Sequence, residues 1–148
     1  MNLNNMKRGI DYTGVNVAFY CHDGKGNYLF HRRAPGARDS HGTWSCGAGG
    51  VHFNESVLEA LNREVEEELN TKPREVEFLG WGEAFREHEG KPMHWIVFRY
   101  RVLLDREKVV NNEPEKHEEL DWFRIDNLPQ PLHPVVAVEV AEYKNLLK

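Results

Sequence analysis

The most chemically loaded stretch of the sequence runs from Gly49 to Asn70, GGVHFNESVLEALNREVEEELN. Its glutamates Glu64, Glu67 and Glu68 are spaced i, i+3 and i+4, which makes side chains neighbours on a helix. Carboxylates crowded against apolar surface repel one another and lose solvation, and a cation is needed to compensate them. All-oxygen ligation suits a hard divalent ion such as Mg²⁺. The chemistry this points to is metal-assisted.

A helix has to position those groups. Ser56-Val57-Leu58-Glu59 has the S-x-x-E form of a capping box, so the helix starts there. Residues 57 to 69 contain no Gly or Pro and are rich in Ala, Leu, Glu and Arg, all good helix formers. Lys72-Pro73 marks its end. On a wheel of roughly 100° per residue, Val57, Leu58, Leu61, Val65 and Leu69 share an arc of about 120°. Glu68 falls inside that apolar arc and Glu64 at its edge, with Glu67 one step further round. Glu59, Asn62 and Glu66 lie opposite and read as ordinary solvated residues. A glycine-rich turn and a short loop precede the helix.

These residues resemble the Nudix box, G-x5-E-x7-R-E-U-x-E-E-x-G-U, where U is a bulky aliphatic. Gly49 stands at the box glycine, Glu55 at the next glutamate, Arg63-Glu64 at the RE pair, Val65 at the aliphatic and Glu67-Glu68 at the EE pair. Asn70 and Thr71 depart from the final Gly and aliphatic. The first departure is mild, because a left-handed helix C′ position takes Gly first and Asn next. The resemblance implies an α/β fold, a Nudix-type α/β/α sandwich with a mixed central sheet. It implies Glu64, Glu67, Glu68 and the Ala48 carbonyl as ligands of Mg²⁺ or Mn²⁺. Arg63 would orient the box glutamates, and Glu55 would join the catalytic set while its charge suits the helix N-terminus. Gly49 and Gly50 let backbone come close to a metal and a diphosphate.

The rest of the chain is read around that box. Gly14 to His22 alternates like a strand, and Tyr28 to Arg33 follows a turn cluster at Asp23 to Asn27, so the two make a hairpin. Arg32 and Arg33 end it, either as substrate-phosphate contacts, as the resemblance suggests, or as a solvated strand end. Trp44 to Gly50, WSCGAGG, resembles the family's approach to the box, with Cys46 and Gly47 in place of Leu and Pro. His52 reads as a plain strand residue rather than a ligand, because an all-carboxylate site does not need an imidazole. Val76 to Phe85 and Met93 to Leu104 read as two strands, with His94 and Trp95 as packing residues. Asp105 to His117 reads as a polar loop and Glu118 to Ile125 as a short strand. The resemblance implies that one glutamate of Glu115, Glu118 and Glu119 completes the metal site or serves as base. A closing helix from about 133 to 147 turns Val135, Val136, Val138, Val140 and Leu146 inward and carries packing only.

At 148 residues the chain suits one domain, 1–148, with a sizeable core. A net charge of -5 argues against a dedicated nucleic-acid binder, and no apolar run approaches a membrane span. Two cysteines are too few for a disulfide framework, so a cytoplasmic protein is expected, with a homodimer left open. The expected function is cleavage of the diphosphate linkage of a nucleoside diphosphate joined to another group, such as a nucleoside triphosphate, nucleotide sugar or ADP-ribose. Two alternatives are an isopentenyl-diphosphate-isomerase-like enzyme, prompted by Trp44 and Cys46, and a non-catalytic nucleotide-binding module on the same scaffold.

Overall fold

The computed structural model describes residues 2–148. Strands β1 (Gly14–His22), β2 (Asn27–Arg33), β3 (Trp44–Ser45) and β4 (Gly47–Gly50) precede helix α1 (Val57–Leu69). Strands β5 (Glu75–His88), β6 (Lys91–Leu103) and β7 (His117–Arg124) follow, then helix α2 (Pro134–Glu142). The seven-stranded sheet has the order β3-β2-β1-β6-β5, with β4 also on β1 and β7 on β2. Only β1 and β6 run parallel among these pairs; the others are antiparallel. The sheet is therefore mixed, and the parallel contact requires a long connection, which the chain from β2 through α1 to β5 supplies.

The two helices cover opposite faces. Phe19 and Cys21 of β1 join Leu61, Val65 and Leu69 of α1 in one core cluster, while Ala18 and Tyr20 join Val136, Tyr143 and Leu147 in the other. Alternation along β1 thus buries both faces rather than one.

The ends of α1 fall where its caps predict. The Ser56 hydroxyl accepts from the Glu59 N–H, and Asn70 adopts φ 55°, ψ 32°, the left-handed cap. Within the helix, Ala60, Leu61, Val65, Glu68 and Leu69 are buried. Leu58, expected inside, is half exposed.

Four expectations are corrected. Gly47 to Gly50 is a strand on β1 rather than a turn, with Ala18 opposite Ala48 and Val17 opposite Gly49. His52 lies in the loop after that strand. The β5–β6 hairpin is longer than expected, turning at Glu89 and Gly90 with φ 52° and 77°. Finally, α2 stops at Glu142; Val138 and Leu146 are exposed, and Glu139 is the buried residue on that helix beside Val136.

Candidate active site

Arg63 is the hub of the box. Its Nε and Nη2 donate to the two oxygens of Glu55 at 2.7 and 2.9 Å, a bidentate fork. Nη2 also donates to the Gly50 carbonyl at 2.9 Å, and Nη1 donates to Glu64 at 2.8 Å and to Glu67 at 3.2 Å. The guanidinium thereby ties the strand, the loop and the helix together. Its hydrogen bonds hold the Glu55 carboxyl down at about 2.

Glu68 is buried and makes no salt bridge among the described residues, and the Ala48 N–H and Lys116 favour its ionised form. Burial pushes its pKa well above the usual carboxylate range, and the charges of Glu64 and Glu113 push it further. Glu64 is raised too, by burial, against the pull of Arg63. Its carboxylate lies so close over Gly49 that a Cβ there would overlap it, so that position has room only for glycine.

Glu113 was not foreseen, and local structure explains its place. Val110 N–H donates to the Leu69 carbonyl, Asn112 N–H to the Glu68 carbonyl and Asn112 Nδ2 to the Glu67 carbonyl. The loop after β6 thus satisfies the orphan carbonyls at the end of α1 and carries Glu113 to Glu64 and Glu68. Lys116 pairs with Glu113 at 3.1 Å.

These groups form one wall of a cavity of about 450 Å³. Ala48, Gly49, Gly50, Glu64, Glu67, Glu68 and Glu113 all line it. The lining is also basic: Arg33, Arg38 and Arg86 contribute to it, and Arg8 lies beside Gly50. Asp39 bridges Arg33 and Arg86 at 3.3 and 3.1 Å. Burial lowers the pKa of Arg33, and so do its neighbours Arg86 and Arg38. Burial, with the charges of Arg86 and Arg33, pushes His133 down to about 4. Crowded arginines and crowded carboxylates in one cavity suit a polyanion bridged by a cation. Met93, Trp95, Val97 and Val136 form an apolar floor.

Not every expected residue arrives. Glu118 and Glu119 pair with Arg32 at 2.8 and 3.2 Å and do not line the cavity, because β7 runs along β2 and sets Glu119 opposite Arg32. Glu115 is exposed and also absent from the lining. Of the two arginines ending β2, Arg33 reaches the cavity and Arg32 does not. The exposed His52 side chain lies 3.9 Å from Glu55. His94 stacks on Phe85 at 4.4 Å, outside the cavity. Cys46 is buried, which raises its thiol pKa and leaves little thiolate. Arg8, Arg86 and Lys116 carried no motif that singled them out.

The donors present fit a hard divalent cation: carboxylates, a backbone carbonyl at Ala48, and in Glu68 a buried carboxylate that makes no ion pair among the described residues and feels only a partial pull from Lys116. Among the described residues, no three His, Cys, Asp or Glu side chains already converge as a metal cage. Arg63 instead holds Glu64 and Glu67.

Fold and cavity together define a Nudix-type hydrolase. A NUDIX domain family model matches residues 12–143, and the chain belongs to the Nudix hydrolase family as an enzyme of the pyrophosphohydrolase class. Among curated proteins it is similar to an RNA pyrophosphohydrolase of Haemophilus influenzae (strain PittEE), 26% identical over 156 residues, covering 94% of this chain and 76% of that one. It is likewise similar to an RNA pyrophosphohydrolase of Saccharophagus degradans, 29% identical, covering 94% and 87%. Among solved structures, a MutT NUDIX hydrolase from Burkholderia pseudomallei superposes with TM-score 0.74 at 28% identity, covering 87% of this chain and 96% of that one. Among the described residues, no helix is long and apolar enough to cross a membrane.

Proposed function

We propose that the enzyme is Mg²⁺- or Mn²⁺-dependent and hydrolyses the diphosphate linkage of a nucleoside diphosphate joined to another group, with a nucleoside triphosphate as the first substrate to test. One observation carries this reading: Glu68 is buried beside Glu64 and Glu113 with no ion pair among the described residues, and only the smaller pull of Lys116 offsets the two like charges.

Glu64, Glu67, Glu68 and the Ala48 carbonyl would hold the ion, with Glu113 beside them. Bound there, it supplies Lewis-acid polarisation of phosphorus and a more acidic water. Arg63 orients the carboxylates through its fork to Glu55, Glu64 and Glu67. Arg33, Arg38 and Arg86, which line the same cavity, bind and align the phosphates, and positioning supplies much of the rate in phosphoryl transfer. The apolar floor excludes water beneath the nucleoside. Glu113, which lines the cavity, can take the proton from the attacking water as general base.

A second reading concerns the nucleotide's context. Relatives at 26 to 29% identity are named RNA pyrophosphohydrolases, so the triphosphate could sit at an RNA 5′ end. Phosphate or pyrophosphate release should be measured for a nucleotide panel and a 5′-triphosphorylated oligoribonucleotide, with Mg²⁺, Mn²⁺ or EDTA. Turnover of free nucleotides that EDTA abolishes supports the first reading. Turnover confined to the oligonucleotide supports the second, and EDTA-resistant turnover sinks the metal assignment.

A further inference from the structure

The longest strand also ends the sheet: among the described residues, no strand pairs with the outer edge of β5. Its 14 residues present a row of backbone N–H and C=O groups roughly 45 Å long at about 3.3 Å per residue. Such an edge is a template for another strand. On the α1 side of the sheet β5 carries Phe78, Trp81 and Phe85, exposed to 52%, 60% and 73%. Single exposed apolar residues are ordinary, but an aromatic row along one strand marks a contact surface.

The pattern of β5 matches an inverted copy of itself. A bulge lies between Phe78 and Gly80 and shifts the alternation of faces by one residue. Phe78 opposes Tyr100 and Phe85 opposes His94, whereas Glu77 opposes Arg101 and Arg86 opposes Met93. Phe78 and Phe85 therefore share one face, and Glu77 and Arg86 share the other. Antiparallel pairing of two β5 strands about Gly82, with the bulge present in each, sets Gly80 opposite Ala84 and Trp81 opposite Glu83. It also sets Phe78 opposite Phe85 and Glu77 opposite Arg86. Every pair then lies on a common face, and at both ends Phe78 meets Phe85 and Glu77 meets Arg86, with Trp81 beside Glu83 nearer the centre.

We propose that a second copy of this chain docks on the β5 edge in that register, forming a two-fold dimer with a sheet continuous across it. Arg86 also lines the cavity, so Glu77 of the second copy approaches the basic lining, and the interface borders the active site. The proposal is independent of metal and substrate.

Sedimentation across micromolar concentrations tests it. The wild type should run at twice the mass of the 17.3 kDa chain. Trp81→Glu with Phe85→Glu, both exposed, should weaken association at least about 30-fold, as expected for aromatic anchors at an interface centre, with unchanged circular dichroism. For register, the double variant Phe78→Cys/Phe85→Cys should cross-link two copies under mild oxidation, while neither single variant does. Cys21 and Cys46 are buried and stay silent. Should Phe78→Cys unfold the protein, charge reversal replaces it: Glu77→Arg and Arg86→Glu each weaken the dimer, and together they restore it. A monomeric wild type, a dimer indifferent to the aromatic substitutions, or a dimer that neither cross-links nor answers to charge reversal overturns the proposal.

Discussion

Glu68 and Glu139 are both buried glutamates on helices, one on each face of the sheet, and they are treated in opposite ways. Glu139 pairs with the buried Arg99 and accepts from the Tyr20 hydroxyl at 3.0 Å, while Arg99 also donates to the Tyr143 hydroxyl at 3.1 Å. Burial raises its pKa, but Arg99 and Tyr20 pull it back. Glu68 has the like charges of Glu64 and Glu113 beside it, with the Ala48 N–H and the more weakly acting Lys116 but no ion pair among the described residues. A charge buried with its counterion belongs to the structure; a charge buried without one leaves room for an ion from outside. Burial alone does not separate the two. The partner does.

Four experiments press on that contrast. The largest effect is expected from Glu68→Gln, which should cut metal-dependent kcat/KM by about 1000-fold, the size of several kcal/mol of charge stabilisation. The fold should stay intact by circular dichroism. Near-normal turnover would remove Glu68 from the site. Next, Glu139→Ala should destabilise the protein in urea by about 3–5 kcal/mol, because Arg99 is left buried and unpaired. Replacing both partners with apolar residues, Glu139→Leu with Arg99→Met, should recover much of that loss.

A smaller, pH-linked effect follows from the raised pKa of Glu68. In the metal-free protein this group favours folding most below the unfolded carboxylate value. The stability is lost as pH rises toward the folded value, because the native state holds the proton longer. Added Mg²⁺ or Mn²⁺ at 100 times its pH 8 Kd should therefore stabilise the protein by about 2.7 kcal/mol at pH 8, and the same ion concentration should raise Tm less at pH 5. Glu68→Gln should flatten that dependence. Scanning calorimetry across pH with and without metal reads both.

The smallest effect concerns Glu55. Its pKa is lowered to about 2, so its stabilising share is present above the unfolded carboxylate value and disappears as pH falls through 2. Glu55→Gln should lower stability at pH 7 and make acid unfolding less steep. An unchanged acid limb would show that the fork to Arg63 contributes nothing net.

Much of α1 was legible in the sequence because its signals are local. Ser56 and Asn70 fix its ends through caps, and the 3.6-residue period put Glu68 on the buried side. Leu58 was misplaced because the wheel knows which arc is apolar but not how far the sheet extends beneath it. On α2 the same logic favoured Val138 over Glu139; the deciding fact was Arg99, which is 40 residues away in the chain and invisible to periodicity.

The sequence by itself determined the helix, its caps and the spacing of its carboxylates, because each depends on neighbours within two turns. Only the tertiary structure decided which distant charges meet. It drew Glu118 and Glu119 to Arg32 through strand register, brought Glu113 to Glu64 and Glu68 by docking a loop on the end of α1, and set Arg33 and Arg86 in the same cavity with them. The physical reason is range: backbone preferences act over a few residues, whereas Coulomb interactions act between whatever the fold places side by side.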